Sequence, residues 1–339
     1  MILVTGNTGY IGPVMTKLLK QHSYEVEGLD TKYFEGCDFF PPENLPTKQI
    51  IKDIRDVNEQ DLKGITSIIH LAGLSNDPLG EINPTLTPEI NYVASINLAK
   101  LAKKIGIKRF IFASSCSLYG IASNNKPLTE EGKLNPITAY AKAKAMVEEE
   151  VSKLADDNFH PVFMRNSTVY GLSPNLRLDL VVNNLVAGAY LTGKVTVLSD
   201  GTPWRPIIHV EDFCRAFIAV LEAPFEKIHN QAFNVGINEE NYQVIDIATT
   251  VAEIVPDCHV EVLNKTGSDE RTYCVDFSKI SKINFKPSWN LRKGIGELYN
   301  TFKDLGLTLE DLQTSKYFRV RKINELMENE KIDKDLRWK

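Results

Sequence analysis

The sequence ILVTGNTGYIGP, residues 2–13, decides the fold of this chain. Apolar residues form a short strand, three glycines follow with the spacing G-x-x-G-x-x-G, and a helical pattern begins after them. Glycine lets the backbone turn sharply and approach a diphosphate, and the next helix offers free N–H groups and a positive dipole. Gly6, Gly9 and Gly12 therefore predict a nucleotide site, although glycines at a turn can also be ordinary loop residues.

Strand and helix patterns alternate through the first half of the chain. Apolar runs typical of buried parallel strands lie at residues 2–4, 25–29, 67–71, 109–113 and 162–164. Helical spacing of apolar residues lies at residues 14–21, 89–104 and 139–157. This alternation predicts an α/β fold with a doubly wound parallel sheet.

The pattern becomes less regular after residue 170. Helices are expected at residues 178–191, 210–221 and 242–255, and strands at 231–235 and 259–263. We expect a sheet domain at residues 1–170, with some later segments interleaved, and a smaller mixed α/β substrate lobe at 171–310. The remaining residues, 311–339, form a charged tail, for which we expect one exposed helix and a frayed end.

Composition excludes several classes of protein. The 339 residues include 39 Lys and Arg against 44 Asp and Glu, and this net charge of −5 argues against nucleic-acid binding. Five cysteines with no C-x-x-C pair and no zinc-ligand spacing favour reduced thiols and no metal. No apolar run has the roughly 18 residues of a membrane helix, and no signal peptide is visible. We expect a soluble cytoplasmic protein that binds no membrane.

An acidic residue ends the second predicted strand. Asp30 lies eighteen residues after Gly12, where a carboxylate can accept both hydroxyls of an adenosine ribose and would repel a 2′-phosphate. This favours NAD over NADP, although Lys32 nearby keeps NADP open. Residues 71–73 end the fourth strand at the edge of the sheet where cofactor contacts are expected. Asp53 and Ile54 either flank the adenine or belong to an ordinary loop.

A tyrosine and a lysine, Tyr140 and Lys144, lie four residues apart on a predicted helix. A free phenol titrates near pH 10, and a nearby ammonium would favour the phenolate and lower its pKa. Such a tyrosine can take a proton from a hydroxyl while hydride leaves the same carbon.

The spacing Y-x-x-x-K is weak alone, because it also occurs at Tyr190 and at Tyr299. Tyr190 is followed by Gly193, which disfavours one continuous helix, and Tyr299 lies outside the sheet domain. Tyr140 alone follows a predicted strand ending in the segment ASSCSLYG, residues 113–120. A serine there can hold the same substrate hydroxyl against the phenol, or simply cap the strand end.

Together the glycine loop, Asp30, the serine-rich segment and the Tyr140/Lys144 pair resemble the extended short-chain dehydrogenases/reductases, and more narrowly their NAD-dependent nucleotide-sugar epimerases and dehydratases. The resemblance covers about residues 1 to 305 and implies a Rossmann-type fold, bound NAD, a nucleotide-diphosphate sugar as substrate and a homodimer built on residues 89–104 and 139–157.

The resemblance also implies roles for particular residues. The expected catalytic residues are Ser115, Tyr140 as the base, and Lys144. The expected cofactor contacts are Gly6, Gly9, Tyr10, Ile11, Gly12, Asp30, Asp53, Ile54, Leu71, Ala72, Gly73 and Lys144. The segment GTPWRPIIHVED, residues 201–212, resembles a family motif whose arginine meets the substrate phosphates. The expected substrate contacts are Ser75, Ser117, Thr168, Arg205 and Arg271.

Departures from the family patterns narrow the reaction. Sugar 4,6-dehydratases of this family carry Asp-Glu where this chain has Cys116 and Ser117, so water elimination is disfavoured. Cys116 is also one step from the cysteine position of the 3,5-epimerases, and one step in a strand reverses side-chain direction. Thr168 replaces an asparagine that binds phosphate in the galactose-type 4-epimerases. This puts UDP-galactose, the standard substrate of those enzymes, in doubt.

Redox epimerisation at C4 of a nucleotide sugar, through a transient keto-sugar, is the function that these residues predict best. One-way reduction or oxidation of a keto-sugar uses the same residues and remains an alternative. A non-catalytic dinucleotide-binding regulator would not need Ser115, Tyr140 and Lys144 together.

Overall fold

The computed structural model describes residues 1–75, 85–121, 126–264 and 271–339. Its strands are β1 (Ile2–Thr5), β2 (Val26–Asp30), β3 (Lys48–Ile51), β4 (Ser67–His70), β5 (Arg109–Ser115), β6 (His160–Asn166), β7 (Thr168–Tyr170), β8 (Lys194–Val197), β9 (Trp204–His209), β10 (Gln231–Val235), β11 (Asn241–Gln243) and β12 (His259–Val262). Its α-helices are α1 (Gly12–Gln21), α2 (Ala94–Lys104), α3 (Ala139–Ser152), α4 (Val181–Thr192), α5 (Val210–Glu222), α6 (Phe225–Ile228), α7 (Val244–Ile254), α8 (Leu291–Leu305), α9 (Leu309–Gln313) and α10 (Arg319–Glu328).

Seven of the strands in the described chain form one parallel sheet in the order β10-β6-β5-β4-β1-β2-β3. The chain runs outward from β1 to β3 and then crosses to β4 on the other side of β1. The strand order therefore reverses between β1 and β4, and the crevice at the carboxyl ends of these strands is where such sheets bind ligands. The predicted doubly wound Rossmann-type sheet is confirmed.

Successive residues of the central strands point to opposite faces, and helices cover both faces. Val4 packs in the core beneath α1 and α5, together with Phe213 and Phe217. Its neighbour Leu3 packs on the other face beneath α2 and α3, together with Val147. Burial on both faces explains why these strands are almost continuously apolar in sequence.

The second lobe has its own core. Helices α4, α7 and α8 pack around a cluster that includes Leu185, Val251 and Leu298. Two small sheets, β11-β9-β7 and β12-β8, complete the lobe. Between these elements the chain returns to the main sheet, because α5 covers one face and β10 pairs with β6 at its edge.

Several predicted helix boundaries differ from the structure, and the helix expected from residue 178 begins at Val181. The helix expected at residues 139–157 ends at Ser152, and the chain then turns at Asp156, whose Oδ1 accepts the N–H of Asn158 at 2.9 Å. Asp and Asn commonly form such turns. The helix expected from residue 242 begins at Val244, because Tyr242 pairs with Arg205 as a strand residue.

The expectation of an exposed helix at the end of the chain is wrong. Helix α10 forms, but Ile323 is 1% exposed and Leu326 is 8% exposed, and both pack into the core beside α2. Ile332 and Leu336 follow them into the same core. The segment has few apolar residues among many charged ones, so its sequence did not indicate burial. Those few apolar residues are sufficient to hold it against the core.

Among the described residues, no helix combines the length and the apolar character needed to cross a membrane. The same residues contain no cluster of three or more His, Cys, Asp or Glu side chains that could hold a metal ion.

Gly12, the first residue of α1, packs so closely against Asn7 that no side chain fits there. A Cβ on Gly12 would lie 2.3 Å from the carbonyl carbon of Asn7, so Gly12→Ala must shift backbone and should lower the free energy of unfolding by about 1–3 kcal/mol. The matched control is Gly296→Ala inside α8, where no described heavy atom outside its own helix lies within 4 Å of the new Cβ. That change should raise stability by up to ~1 kcal/mol. Urea unfolding of both variants measures the difference, and equal effects would contradict the close approach at Gly12.

Candidate functional site

Two adjoining cavities lie at the carboxyl edge of the sheet, next to the point where the strand order reverses. The smaller one, about 150 Å³, is the glycine-loop cavity and includes Gly6, Gly9 and Asp30 in its wall. The larger one, about 410 Å³, is the tyrosine cavity and includes Ser115 and Tyr140. The residues that line both cavities are Tyr10, Ile11, Leu71, Gly73, Leu74, Ser75 and Arg177. The two cavities are therefore parts of one cleft.

The glycine loop approaches the end of β4 so closely that side chains are excluded. Gly6 has φ +75°, and a Cβ there would lie 2.8 Å from the backbone nitrogen of Ala72. The loop leads into the N-terminus of α1, whose first N–H groups have no partner within the helix. This bare backbone surface and helix terminus fit a dinucleotide diphosphate.

Asp30 is fixed at the end of β2 by two backbone groups. Its Oδ2 accepts the N–H of Thr8 at 3.0 Å, and its Oδ1 accepts the N–H of Lys32 at 2.7 Å. Burial raises the pKa of this carboxyl, and the two N–H donors oppose that rise. Because it lies in the cavity wall beside the loop, Asp30 fits the ribose role expected of it.

Five other expected cofactor residues line the glycine-loop cavity: Asp53, Ile54, Leu71, Ala72 and Gly73. Gly12 lines neither cavity, because it packs against the backbone of Asn7. The carboxylate of Asp53 already has protein partners. Its Oδ1 accepts the backbone and Nε hydrogens of Arg55 at 2.8 and 3.0 Å, and its Oδ2 accepts Nη2 at 2.7 Å. Asp53 therefore begins the turn at residues 54–56 and pairs with Arg55, and Ile54 presents the apolar surface.

Ser115, Tyr140 and Lys144 meet in the tyrosine cavity. The Nζ of Lys144 lies 5.6 Å from the centre of the Tyr140 ring and donates to the carbonyl oxygen of Ala113 at 2.7 Å. Ser115 Oγ accepts the N–H of Ser117 at 3.1 Å, which leaves its own hydrogen free to donate to a ligand. Of the three Y-x-x-x-K pairs, the tyrosine cavity includes Tyr140 with Lys144, while Lys194 lies in a strand apart from the helix of Tyr190.

Lys144 is buried, and this burial lowers its pKa to about 7, although the carboxylate of Glu148 opposes the shift. Its ammonium lies 4.5 Å above the centre of the Phe112 ring. A lysine whose pKa lies near neutrality can exchange charge readily with a neighbouring phenol or with a bound anion.

A buried cluster of charges holds the helix of Tyr140 against the strand of Ser115. Glu148 of α3 accepts the hydroxyl of Ser114 at 2.5 Å and forms an ion pair with Arg165 at 2.7 Å. Arg165 also donates to the hydroxyl of Tyr119 at 3.2 Å. These bonds join α3, β5 and β6 directly behind the cavity.

The two expected phosphate-binding arginines come together in the wall of the tyrosine cavity. Arg205 Nη1 donates to the carbonyl oxygen of Arg271, although 66 residues separate them. The remaining expected substrate residues, Ser75, Ser117 and Thr168, line the same cavity. The structure thus brings together every described residue that the sequence singled out for the substrate.

Sequence reasoning missed several residues of the cleft. Arg177 lines both cavities, pairs with Asp179 at 2.8 Å and donates to Ser75 at 3.2 Å. Asn166 lies beside Ser115 across the β5–β6 pairing and donates to the carbonyl oxygen of Ser114. Asn166 lies just after a predicted strand, whereas Arg177 follows none closely. Arg319, from α10, gave no signal at all.

The amino-acid sequence matches a family of known proteins over most of its length. Residues 2–236 match the family described as "NAD dependent epimerase/dehydratase family". UDP-glucuronic acid decarboxylase 6 of Arabidopsis thaliana is 27% identical over 319 residues, which cover 89% of this chain and 88% of that protein. UDP-glucuronate 4-epimerase of Thermodesulfobacterium geofontis is 26% identical, with 89% and 96% covered.

Among solved structures, UDP-glucuronic acid 4-epimerase of Bacillus cereus, in complex with UDP-glucuronic acid and NAD, is similar in fold. Its TM-score is 0.75 and its sequence identity 25%, over 90% of this chain and 99% of that one.

The buried position of Lys144 generates a prediction about stability and pH. Between pH 7 and the ordinary lysine value of 10.5 the unfolded chain binds more protons than the folded one, so this group makes stability rise with pH. Lys144→Met should remove up to about 1.4 kcal/mol per pH unit from that slope. Urea unfolding at pH 7.5, 8.5 and 9.5 measures it, with Lys142→Met, exposed on the same helix, as the control. Equal slopes in wild type and Lys144→Met would contradict the burial of this ammonium.

Proposed function

Because this chain belongs to the NAD-dependent epimerase/dehydratase family, we propose that it is a nucleotide-sugar epimerase that inverts C4 of its substrate. The observation that carries the proposal is the meeting of Ser115, Tyr140 and Lys144 in a cavity that adjoins the glycine-loop cavity. A dinucleotide in the glycine-loop cavity and a sugar in the tyrosine cavity would share one cleft.

Bound NAD⁺ supplies a reversible hydride acceptor to this cleft. Tyr140 takes the proton of the C4 hydroxyl, and the ammonium of Lys144 stabilises the phenolate that does so. Ser115 donates a hydrogen bond to the same substrate oxygen and holds it in line with the phenol. Lys144 is anchored to the carbonyl of Ala113, so its charge stays in place while the proton moves.

Arg205 and Arg271 fit the diphosphate of the nucleotide sugar, since a guanidinium forms paired hydrogen bonds with phosphate. They line the wall of the tyrosine cavity and take no part in the wall of the glycine-loop cavity. Inversion at C4 requires the sugar to present its other face to the cofactor. A diphosphate held at this wall, with the sugar free to turn, allows that change without release of the substrate.

The polar groups around Ser115 favour a neutral sugar ring. Ser117 Oγ and Asn166 Oδ1 are buried in the cavity wall and have no hydrogen-bond partner within the described parts of the chain. A sugar hydroxyl can satisfy both, whereas a carboxylate would face the Asn166 oxygen as a second acceptor. Asp179 also lines the cavity but is neutralised by Arg177. This argues for epimerisation of a neutral sugar over decarboxylation of an acidic one.

The partners of this chain include a second copy of itself. The π-helical segment Pro88–Val93, which leads into α2, packs against α3, and Val93 of the first is 45% exposed while Met146 of the second is 44% exposed. Two apolar side chains exposed on helices that lie side by side are suited to a helical dimer interface.

Activity of the purified protein tests the proposed reaction. Incubated with a panel of UDP sugars and no added cofactor, the wild type should convert one of them to its C4 epimer. Tyr140→Phe should lose about 10²–10⁴-fold in kcat, because proton transfer is removed while the ring is kept. Tyr190→Phe, in the pair outside the cavity, should keep full activity. Full activity in Tyr140→Phe would contradict this mechanism, and a need for stoichiometric NADPH would favour one-way reduction.

Light scattering tests the dimer. Met146→Asp places a charge on the exposed apolar surface of α3 and should shift the protein from dimer to monomer. Leu309→Asp, on α9, is the control: Leu309 is 52% exposed, and its change should leave the dimer intact. A wild type that is monomeric at micromolar concentration would rule out this interface.

A further inference from the structure

The C-terminal segment, residues 317–339, lies against the wall of the glycine-loop cavity. Trp338 Nε1 donates to the carbonyl oxygen of Thr31 at 2.7 Å, and Tyr33 donates to the carbonyl oxygen of Leu336. Thr31 and Tyr33 themselves line the cavity. Ile323, from the middle of α10, reaches the cavity wall directly. The last part of the chain therefore closes one side of the space expected to hold the dinucleotide.

Charged contacts fix the same segment to the loop after β3. Arg337 pairs with Asp53 at 3.4 Å and with Asp56. Arg55 Nη2 donates to the carbonyl oxygen of Asp335 at 2.9 Å. Because Asp53 lines the cavity, these ion pairs connect the end of the chain to the region expected to surround the adenine.

Arg319 is the one arginine of this segment that lines the cavity among the described residues. It is 2% exposed, its guanidinium lies 4.1 Å above the ring of Phe34, and its Nη2 donates to the backbone oxygen of Asn175 at 3.0 Å. Asn175 in turn donates to the carbonyl oxygen of Thr8 in the glycine loop at 3.1 Å. Arg319 is therefore held beside the glycine loop, because Asn175 bonds to both of them.

The charge of Arg319 is incompletely satisfied. Its Nη1 is buried and has no hydrogen-bond partner among the described residues. Burial lowers the pKa of Arg319 to about 9, and the nearby cation of Arg177 lowers it further while Asp179 opposes the shift. Two carboxylates face these two guanidiniums: Asp179, which pairs directly with Arg177, and Asp30, whose charge also opposes the lowering of the Arg319 pKa. A buried cation of this kind is costly unless an anion completes it.

We propose that the C-terminal segment is part of the cofactor site: it closes over the bound dinucleotide and supplies Arg319 as a ligand of the diphosphate. The diphosphate brings an anionic acceptor for the unpartnered Nη1 of Arg319, and it belongs beside the glycine loop, to which Arg319 is connected through Asn175. A segment that must move before the dinucleotide can leave also suits an enzyme that regenerates its own cofactor. The inference rests on the cofactor of the proposed function and not on the sugar chemistry.

Binding of cofactor fragments tests the role of Arg319. Calorimetric titration of the cofactor-free protein with adenosine, ADP, ADP-ribose and NAD⁺ separates the nucleoside from the diphosphate. Arg319→Met should weaken the binding of ADP, ADP-ribose and NAD⁺ about 10- to 100-fold, the range for a hydrogen bond to a charged group. It should change the affinity for adenosine less than about threefold. The affinities of Arg319→Lys should fall between those of wild type and Arg319→Met, because lysine keeps the charge but lacks the planar guanidinium with its paired donors. Arg321→Met, exposed on the same helix, should bind all four like wild type.

Thermal unfolding distinguishes ligand binding from a merely structural role. Without cofactor, Arg319→Met should melt at or above the wild-type Tm, because an incompletely satisfied buried charge is removed. The increase in Tm caused by NAD⁺ should shrink. A lower Tm together with equal losses for adenosine and NAD⁺ would show that Arg319 only shapes the wall, and this would overturn the proposal.

The rate of cofactor release tests the closing segment separately, and it remains available if Arg319→Met does not fold. Trp338→Phe removes the bond to Thr31 at a half-exposed position and should speed NAD⁺ dissociation severalfold in stopped-flow displacement. An unchanged rate would overturn the closing role. A wild type that binds no NAD⁺ would overturn the proposed function itself, whereas normal NAD⁺ binding in every variant would overturn only this inference.

Discussion

The ion pair between Glu148 and Arg165 is the interaction on which the geometry of the cleft depends. Glu148 extends from α3, the helix of Tyr140 and Lys144, and it also accepts the hydroxyl of Ser114 on the strand of Ser115. The helix of Tyr140 and the strand of Ser115 are thus fixed to each other by buried charged bonds rather than by apolar contact alone. Apolar packing tolerates small sliding, whereas a two-point bond to a carboxylate fixes both distance and rotation. The proposed proton transfer depends on that fixed register.

A second set of buried bonds fixes the cleft from the other lobe. The hydroxyl of Tyr10, in the glycine loop, donates to the carbonyl oxygen of Gly171 at 2.7 Å, and Ser173 Oγ donates to the backbone oxygen of Tyr10 at 2.6 Å. The loop expected to hold the cofactor and the start of the lobe expected to hold the substrate therefore share one frame. With both ends of the cleft held in this way, turning of the sugar, rather than motion between the lobes, is the simplest route to inversion.

The charge of the cleft is opposite to the charge of the chain. The protein carries a net charge of −5, yet Lys144, Arg177, Arg205, Arg271 and Arg319 all line the two cavities. Two diphosphates, one in the cofactor and one in the substrate, would account for this concentration of cations. Burying the cations before the anions arrive costs folding free energy, and the lowered pKa of Lys144 reflects that cost. The same arrangement lets the ligands bind to groups that are already in position.

The sequence alone determined the features that depend on local geometry. The glycine spacing, the apolar strands and the four-residue separation of Tyr140 and Lys144 follow from backbone dihedral angles and helix periodicity, which neighbouring residues set. Only the tertiary structure decided which distant segments meet. Arg205 reaches Arg271, and Arg319 reaches the glycine loop, through chain crossings that no local pattern records. The C-terminal helix looked exposed because its few apolar residues are outnumbered by charges, and its burial depends on a complementary surface formed by α2 and the loop after β2.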